Sequence, residues 1–384
     1  MSTSTTFIGL DAHKDTIVAA IYYPRRKKPE LAELANTEQS LRRFVRQLRK
    51  STKTRLRACY EAGPLGFGLM RQLDKLGIET SVIAPSKIPM AAGDRVKTDR
   101  RDAMKLGELF RAGLLTEVHA PDEEDEAVRD LCRARQQAKE SETAAKHRLN
   151  KFLTRRDKRY PGKTRWTQAF WKWLDKLEFE QEADRLTFEH YVAVLQNWKE
   201  QLASLDAAII KLSVTEPYAE PVAKLRCFRG IDTTTAMVLV TELHGFERFE
   251  SAPQLMAYLG LTPSEYSSGG KRKLGSITKA GNAHVRRVLV ESAWNYRHAY
   301  RVGVKLKKRR EGASPKTIAL ADRAMRRLRK RWVAMSERKM PNQKIAVALA
   351  RELVGFIWAA LTSRPTKART KKTKSYRLKT RAAA

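Results

Sequence analysis

The chain of 384 residues is short of acid, of cysteine and of long apolar runs, and each shortage excludes something. Only 42 Asp and Glu stand against 77 Lys and Arg, a formal charge of +35. That is far beyond what solubility requires and points to a polyanionic partner, nucleic acid first. No run of about 18 apolar residues offers a membrane span, and the N-terminus lacks the pattern of a secretory signal. A cytoplasmic, nucleoid-associated protein with no membrane partner is expected. Cys59, Cys132 and Cys227 lie far apart, without Cys-x-x-Cys or Cys/His ligand spacing. This excludes a disulfide framework or zinc site and leaves three reduced, mostly buried thiols. A hydrophobic content of 42% excludes global disorder, and the length allows two or three domains with cores.

What is present begins with an apolar run closed by a carboxylate, Phe7-Ile8-Gly9-Leu10-Asp11. Short apolar runs bounded by turn residues read as buried strands, and residues 17–23 supply a second strand, making a hairpin. Alone, Asp11 reads as a cap of the turn Asp11-Ala12-His13-Lys14-Asp15. A third strand at 31–35, a helix to about Lys50, a fourth strand ending at Glu61, a helix stopping at Gly77 and a fifth strand at 80–83 give the order β-β-β-α-β-α-β. Next, Lys97-Thr98-Asp99-Arg100-Arg101-Asp102 opens a helix capped at Thr98 or Asp99. Residues three apart share a helix face, so Asp99 and Asp102 point the same way. Four carboxylates at strand ends and on one first turn repel one another unless a hard cation neutralises them. Divalent ions held in this way hydrolyse or exchange phosphodiesters.

Residues 122–215 read as long charged helices with an irregular apolar stripe, an extended pair or coiled coil. Pro161-Gly162 interrupts them, and Trp166, Phe170, Trp173, Leu174 and Leu177 form an aromatic stripe read as core or subunit interface. Residues 222–243 read as helix, tight Gly-Ile turn and second helix, resembling a helix-hairpin-helix element whose amides can meet a phosphate. Residues 264–282 form a basic loop with glycines and hydroxyls, flexible and able to lie on a phosphate backbone; on composition alone a solvated turn is the favoured reading. Between 301 and 340, 15 Lys or Arg face only Glu311, Asp322 and Glu337, too one-sided for an ordinary solvated face. The tail from Pro365 has eight basic residues and no acidic one, and is expected to be disordered until nucleic acid binds.

The order of elements, Asp11, Glu61 and the block from Lys97 to Ala103 resemble the N-terminal RNase H/RuvC-like domain of the DEDD transposases of bacterial insertion sequences, the insertion-sequence-110 family. Asp11, Glu61, Asp99 and Asp102 match its four acidic positions. Leu261-Thr262-Pro263, Tyr266, Ser268-Gly269 and Thr278-Lys279-Ala280-Gly281 resemble the signature of the family's transposase domain, and Ser268 falls on its nucleophilic serine, with Ser267 adjacent. The resemblance covers about residues 5–115 and 222–310. It implies an α/β plus mostly α protein with an RNase H/RuvC-like domain at 1–120, a helical connector at 121–215, a mostly helical transposase domain at 216–364 and a basic tail at 365–384. It further implies two Mg2+ ions on the carboxylates, and DNA cut and rejoined through a phosphoserine link. Specificity would come from a structured non-coding bridge RNA pairing with donor and target DNA, and the protein would act as a homo-oligomer, a dimer or tetramer. Lys271, Arg272, Lys273, Lys279, Arg286, Arg287, Lys307, Lys308, Arg309 and Arg310 are the candidate phosphate contacts. No histidine is assigned as base for the serine, although His284 is a conceivable neighbour.

Three other readings use the same residues. A metal-dependent nuclease or junction resolvase needs the carboxylates and not Ser268. An actin-like sugar kinase would use residues 8–11 as a phosphate strand, against the charge and the missing glycine loops. A non-catalytic nucleic-acid scaffold would tolerate alanine at every carboxylate.

Overall fold

The computed structural model describes residues 4–89, 98–271 and 273–362; Arg272 and the basic tail lie outside these. The chain divides into two compact units, Met1–Asp122 and Glu123–Ala384. Among the described residues no helix is long and apolar enough to cross a membrane.

In the first unit the two leading apolar runs form β1 (Thr5–Ala12) and β2 (Thr16–Tyr22), followed by β3 (Glu30–Ala35), β4 (Arg55–Glu61) and β5 (Glu79–Ile83). They make one mixed sheet in the order β3-β2-β1-β4-β5. The first three strands form an antiparallel meander, and β4 pairs parallel to both β1 and β5.

Side chains alternate across a strand, so each face of β1 has its own cover. Ile8 and Leu10 enter a core filled by α1 (Glu38–Ser51) and α2 (Gly68–Lys75) through Leu41, Phe44, Val45, Leu48, Leu69 and Leu73. Each such side chain stabilises the unit by roughly 2 kcal/mol. The odd positions, Phe7, Gly9 and Asp11, face the opposite side, where α3 (Asp99–Arg111) lies antiparallel to β1. Thr98 starts this helix by accepting the Arg101 N–H, and Ala103, Leu106, Gly107 and Phe110 are its buried stripe. Phe110 meets Phe7 edge-on with ring centres 5.7 Å apart. A Cβ on Gly9 would stand 2.2 Å from both the Ala103 carbonyl oxygen and the Gly107 nitrogen. The helix backbone therefore rests directly on the strand, and its first turn reaches the end of β1.

The second unit is helical. The long helices α4 (Glu123–Arg155) and α6 (Glu182–Leu212) pack along each other. At one end Phe152, Phe170 and Leu174, the latter two from α5 (Gln168–Leu174), close a core with Leu195 that the partly buried Trp166 and Trp173 cover. At the other end Val128, Cys132 and Ile209 join a larger core. It is shared with α7 (Ala219–Arg226), α8 (Thr233–Leu243), α9 (Ala252–Tyr258), α10 (Ala283–Trp294), α12 (Pro315–Glu337) and α13 (Asn342–Leu361). The short α11 (Val304–Arg309) adds Leu306. All three cysteines are free and buried, as expected.

One stretch differs from the sequence reading. The expected flexible loop at 264–282 contains an antiparallel hairpin of β6 (Pro263–Glu265) and β7 (Leu274–Ile277). Its strands are short and mostly polar, so no apolar alternation announces them. Further on, α10 ends at Trp294 and a 3-10 turn at Asn295–Arg297 follows.

The glycine contact gives a test of the first unit. Gly9→Ala should destabilise it by about 1–3 kcal/mol, the usual cost of overpacking. Hydrogen exchange should speed up in β1 and α3 together and stay unchanged in α8 and α10; unchanged exchange in α3 would contradict the contact.

Candidate active site and nucleic-acid interface

The sheet register places the first two carboxylates. Leu10 pairs with Tyr60 across β1 and β4, so one step further sets Asp11 beside Glu61 at the same ends of parallel neighbours. Both lie on the face that α3 covers. The first turn of α3 brings Asp99 and Asp102, where a carboxylate also suits the positive end of the helix dipole.

Side-chain geometry separates the four. Asp11 is half-buried and Asp99 exposed, and between them stands His13, which sequence reasoning left in the turn. Its Nε2 lies 3.4 Å from Asp11 Oδ2 and 3.8 Å from Asp99 Oδ1. One ligand atom from each of Asp11, His13 and Asp99 lies within 4.8 Å of the others, and this is the one such group among the described residues. Glu61 and Asp102 stand outside it, Glu61 with its side chain exposed. Burial pushes the Asp11 carboxyl above its ordinary value, His13 pulls it back, and the charges of Asp99 and Asp102 push it up again. Mutually repelling oxygens of this kind fit a divalent cation.

Ser268 belongs to the second unit, at the tip of the β6–β7 hairpin. Residues 268–271 close a two-residue turn, with the Lys271 N–H donating to the Ser268 carbonyl at 3.1 Å. Gly269 and Gly270 both have positive φ, +54° and +79°, the signature of a type I′ turn, for which glycine is favoured at both positions. The adjacent serines differ. Ser267 Oγ donates to Glu265 Oε1 at 2.8 Å and accepts the Lys273 N–H at 3.1 Å, bracing the hairpin. Ser268 is exposed, and its hydroxyl has no hydrogen-bond partner among the described residues.

The base of the hairpin is fixed. Arg286 donates to the Leu259 and Ala280 carbonyls. Asn282 caps α10 and donates to Glu242 Oε2 at 2.7 Å, and the Arg133 guanidinium of α4 grips the same carboxylate at 2.7 and 3.0 Å. Burial pushes Glu242 upward, but these partners hold it below the ordinary carboxylate value. His284 is half-buried, pushed below its usual value by burial, with Arg287 3.4 Å from its Nδ1; among the described residues no hydrogen bond joins it to Ser268.

Of the candidate phosphate contacts, Lys271, Lys273, Lys279, Lys307 and Lys308 are exposed. Arg286 is held by the carbonyls above, Arg287 by Glu291, Arg309 by the Ile231 carbonyl, and the buried Arg310 by Asp322 and the Cys227 carbonyl. The structure therefore gives Arg286 and Arg310 structural partners, because a guanidinium bound to internal acceptors has few donors left for a phosphate. Two recesses gather cations of the basic stretch 301–340. One, about 560 Å³, lies beside the α7–α8 turn and is lined by Arg229, Arg301, Lys305 and Arg309. The other, about 770 Å³, has Arg323, Arg326, Arg327 and Lys330 along one face of α12.

A mixed five-stranded sheet with carboxylates at the ends of its central strands and on the adjoining helix is consistent with the RuvC-like DEDD class of nucleic-acid-processing domains. Residues 8–156 match the DEDD profile of insertion-sequence-110 elements, described as a transposase, and residues 222–308 match the profile described as transposase IS116/IS110/IS902 family. The protein y4qE of Sinorhizobium fredii, named as a transposase, is 38% identical over 355 residues, 92% of this chain and 87% of its own. The transposase for insertion sequence element IS1533 of Leptospira borgpetersenii is 34% identical over 331 residues, 85% and 95% of the two chains. That for IS1111A of Coxiella burnetii is 27% identical over 297 residues, 76% and 73%. The chain belongs to the IS110 family of insertion-sequence transposases. DNA substrates and a divalent metal follow from that membership.

Electrostatics around Asp11 can be read without DNA. Its carboxyl titrates higher in the folded than in the unfolded chain, so ionising it weakens the fold as pH rises through the carboxylate range. In EDTA, Asp11→Asn should slow hydrogen exchange in β1 at neutral pH, and the gain should vanish below about pH 3.5, where the wild-type carboxyl is protonated in both states. A gain that persists in acid would show that charge is not its origin.

Proposed function

We propose that this transposase cuts and rejoins DNA through Ser268, with the carboxylates Asp11, Glu61, Asp99 and Asp102 holding Mg2+, two ions in the full site. Ser268 Oγ attacks the scissile phosphorus, forming a phosphoserine ester as the bond to the leaving sugar oxygen breaks. Attack by a recombined strand's sugar oxygen reverses the exchange. A serine hydroxyl is a weak nucleophile until a base or metal acts on it; in this reading the metal centre activates it or stabilises the leaving oxygen, from the same subunit or another. The observation that carries the reading is the contrast at the hairpin tip, where Ser267 is braced on both sides and Ser268 is exposed.

Donor and target DNA are the substrates, and a structured non-coding bridge RNA supplies sequence specificity by base pairing. Two nucleic acids bound at once account for the +35 charge, and the exposed lysines of the hairpin and α11 are the phosphate contacts. The turn between α7 and α8 acts as a helix-hairpin-helix element. Residues 1–120, 121–215, 216–364 and 365–384 are the catalytic, connector, transposase and tail segments, and the connector supports a dimer or tetramer in the cytoplasm, at the nucleoid.

The test is a denaturing gel of full-length protein with Mg2+, RNA transcribed from the flanks of its own element, and labelled donor DNA. Wild type should give a covalent protein–DNA adduct that both Ser268→Ala and Asp11→Ala abolish, whereas Ser267→Ala should lower its yield and leave it detectable. Cleavage without an adduct, indifferent to Ser268→Ala, would move the protein to the nuclease reading.

A further inference from the structure

We propose that His13 is a nitrogen ligand of the divalent cation at this centre, making it a mixed nitrogen–oxygen site. The inference rests on the reading that the carboxylates hold a metal. A single ion with ligand bonds of about 2.0–2.2 Å separates adjacent ligand atoms by about 3–3.5 Å. The contacts of Nε2 to Asp11 Oδ2 and Asp99 Oδ1, 3.4 and 3.8 Å, are already close to that spacing. Glu61, the residue whose type and strand position suggest the third ligand, is not in the tight group.

The imidazole is also held where a ligand needs to be. The His13 N–H donates to the Thr16 carbonyl at 2.8 Å and its carbonyl accepts from Asn36 Nδ2 at 2.8 Å. The Asn36 N–H in turn donates to the Asp15 carbonyl. Both backbone groups of His13 are thus fixed, the N–H within the turn that joins β1 to β2 and the carbonyl by Asn36 just after β3. Two χ rotations are all that remain to be ordered when an ion binds.

An imidazole in the ligand set has a chemical consequence. Carboxylate oxygens suit Mg2+, Ca2+ and Mn2+, whereas imidazole favours transition metals over Mg2+. His13 therefore sets metal preference: it strengthens Mn2+ or Co2+ more than Mg2+. A residue that only hydrogen-bonds Asp11 would leave this preference unmoved.

The experiment uses the full chain, stripped with EDTA and titrated with Mn2+ alone, followed by electron paramagnetic resonance and spin-echo modulation from directly bound 14N. Wild type should show one class of Mn2+ coupled to nitrogen. His13→Gln should lose that coupling and bind Mn2+ at least about tenfold more weakly, while Mg2+ affinity, read by competition, changes by less than about threefold. Asp11→Asn should lose the site altogether. Mn2+ bound in an Asp11-dependent way without nitrogen coupling, or with coupling that survives His13→Gln, overturns the ligand assignment and leaves the carboxylate centre standing. Failure of wild type to bind Mn2+ overturns both.

Discussion

The contact of α3 on β1 is the constraint on which the first unit's chemistry depends. Gly9 and Gly107 let two backbones approach to where neither tolerates a side chain between them, and Tyr22 adds a hydrogen bond to the Met104 carbonyl at 2.8 Å. Because α3 runs antiparallel to the strand, fixing its middle also fixes its first turn over the end of β1. Asp99 lies far along the chain from Asp11 and His13, and this packing is what makes it their neighbour. The carboxylates oppose the arrangement by repulsion, so the apolar contacts of Phe7, Leu106 and Phe110 must outweigh it until a cation is bound.

A similar opposition recurs in the second unit. Glu242 is almost fully buried, and removing a carboxylate from water costs several kcal/mol before its partners are counted. The Arg133 fork and the Asn282 amide occupy both of its oxygens. Through this one group the long helix α4, the core helix α8 and the exit of the hairpin share a fixed point. A purely apolar contact could hold those elements as firmly, but it would not specify which of several similar packings they adopt. The buried charge has one low-energy arrangement, and the base of the Ser268 hairpin inherits its geometry.

How much of this was legible in the sequence depends on which signals are local. The end of β1 at Asp11 could be read because an apolar run stops at a carboxylate, and the start of α3 because Thr98 is a good N-cap. The β6–β7 hairpin was missed although Gly269-Gly270 is a two-residue turn signal; the flanking strands are too short and too polar to show a period of two. His13 was read as part of a turn, which it is. Its closeness to Asp99 is a matter of tertiary packing, and no spacing along the chain encodes that. Charge in a basic segment suggests phosphate at Arg286 and Arg310, and it does not tell that the side chains turn inward, Arg286 to the Leu259 and Ala280 carbonyls and Arg310 to the Cys227 carbonyl and Asp322.

Ser268 on a hairpin tip, and Asp11 and Asp99 at the end of a central strand and the start of the helix packed on it, have different mechanical supports. Asp11 and Asp99 are held by packed backbone, which suits the metal-ligand role proposed for them. Ser268 stands at the end of a two-stranded ribbon, braced internally by Ser267 and Glu265 and clamped at its base by Arg286 and Asn282. Such a ribbon resists shear along its strands but can swing about its base, since its tip packs on nothing among the described residues of the hairpin's own unit. Under the proposed serine chemistry, a nucleophile that must reach one phosphate, release it and accept another strand would use that freedom. On that proposal, firmly held carboxylates and a serine on a freer support would meet both demands within one chain.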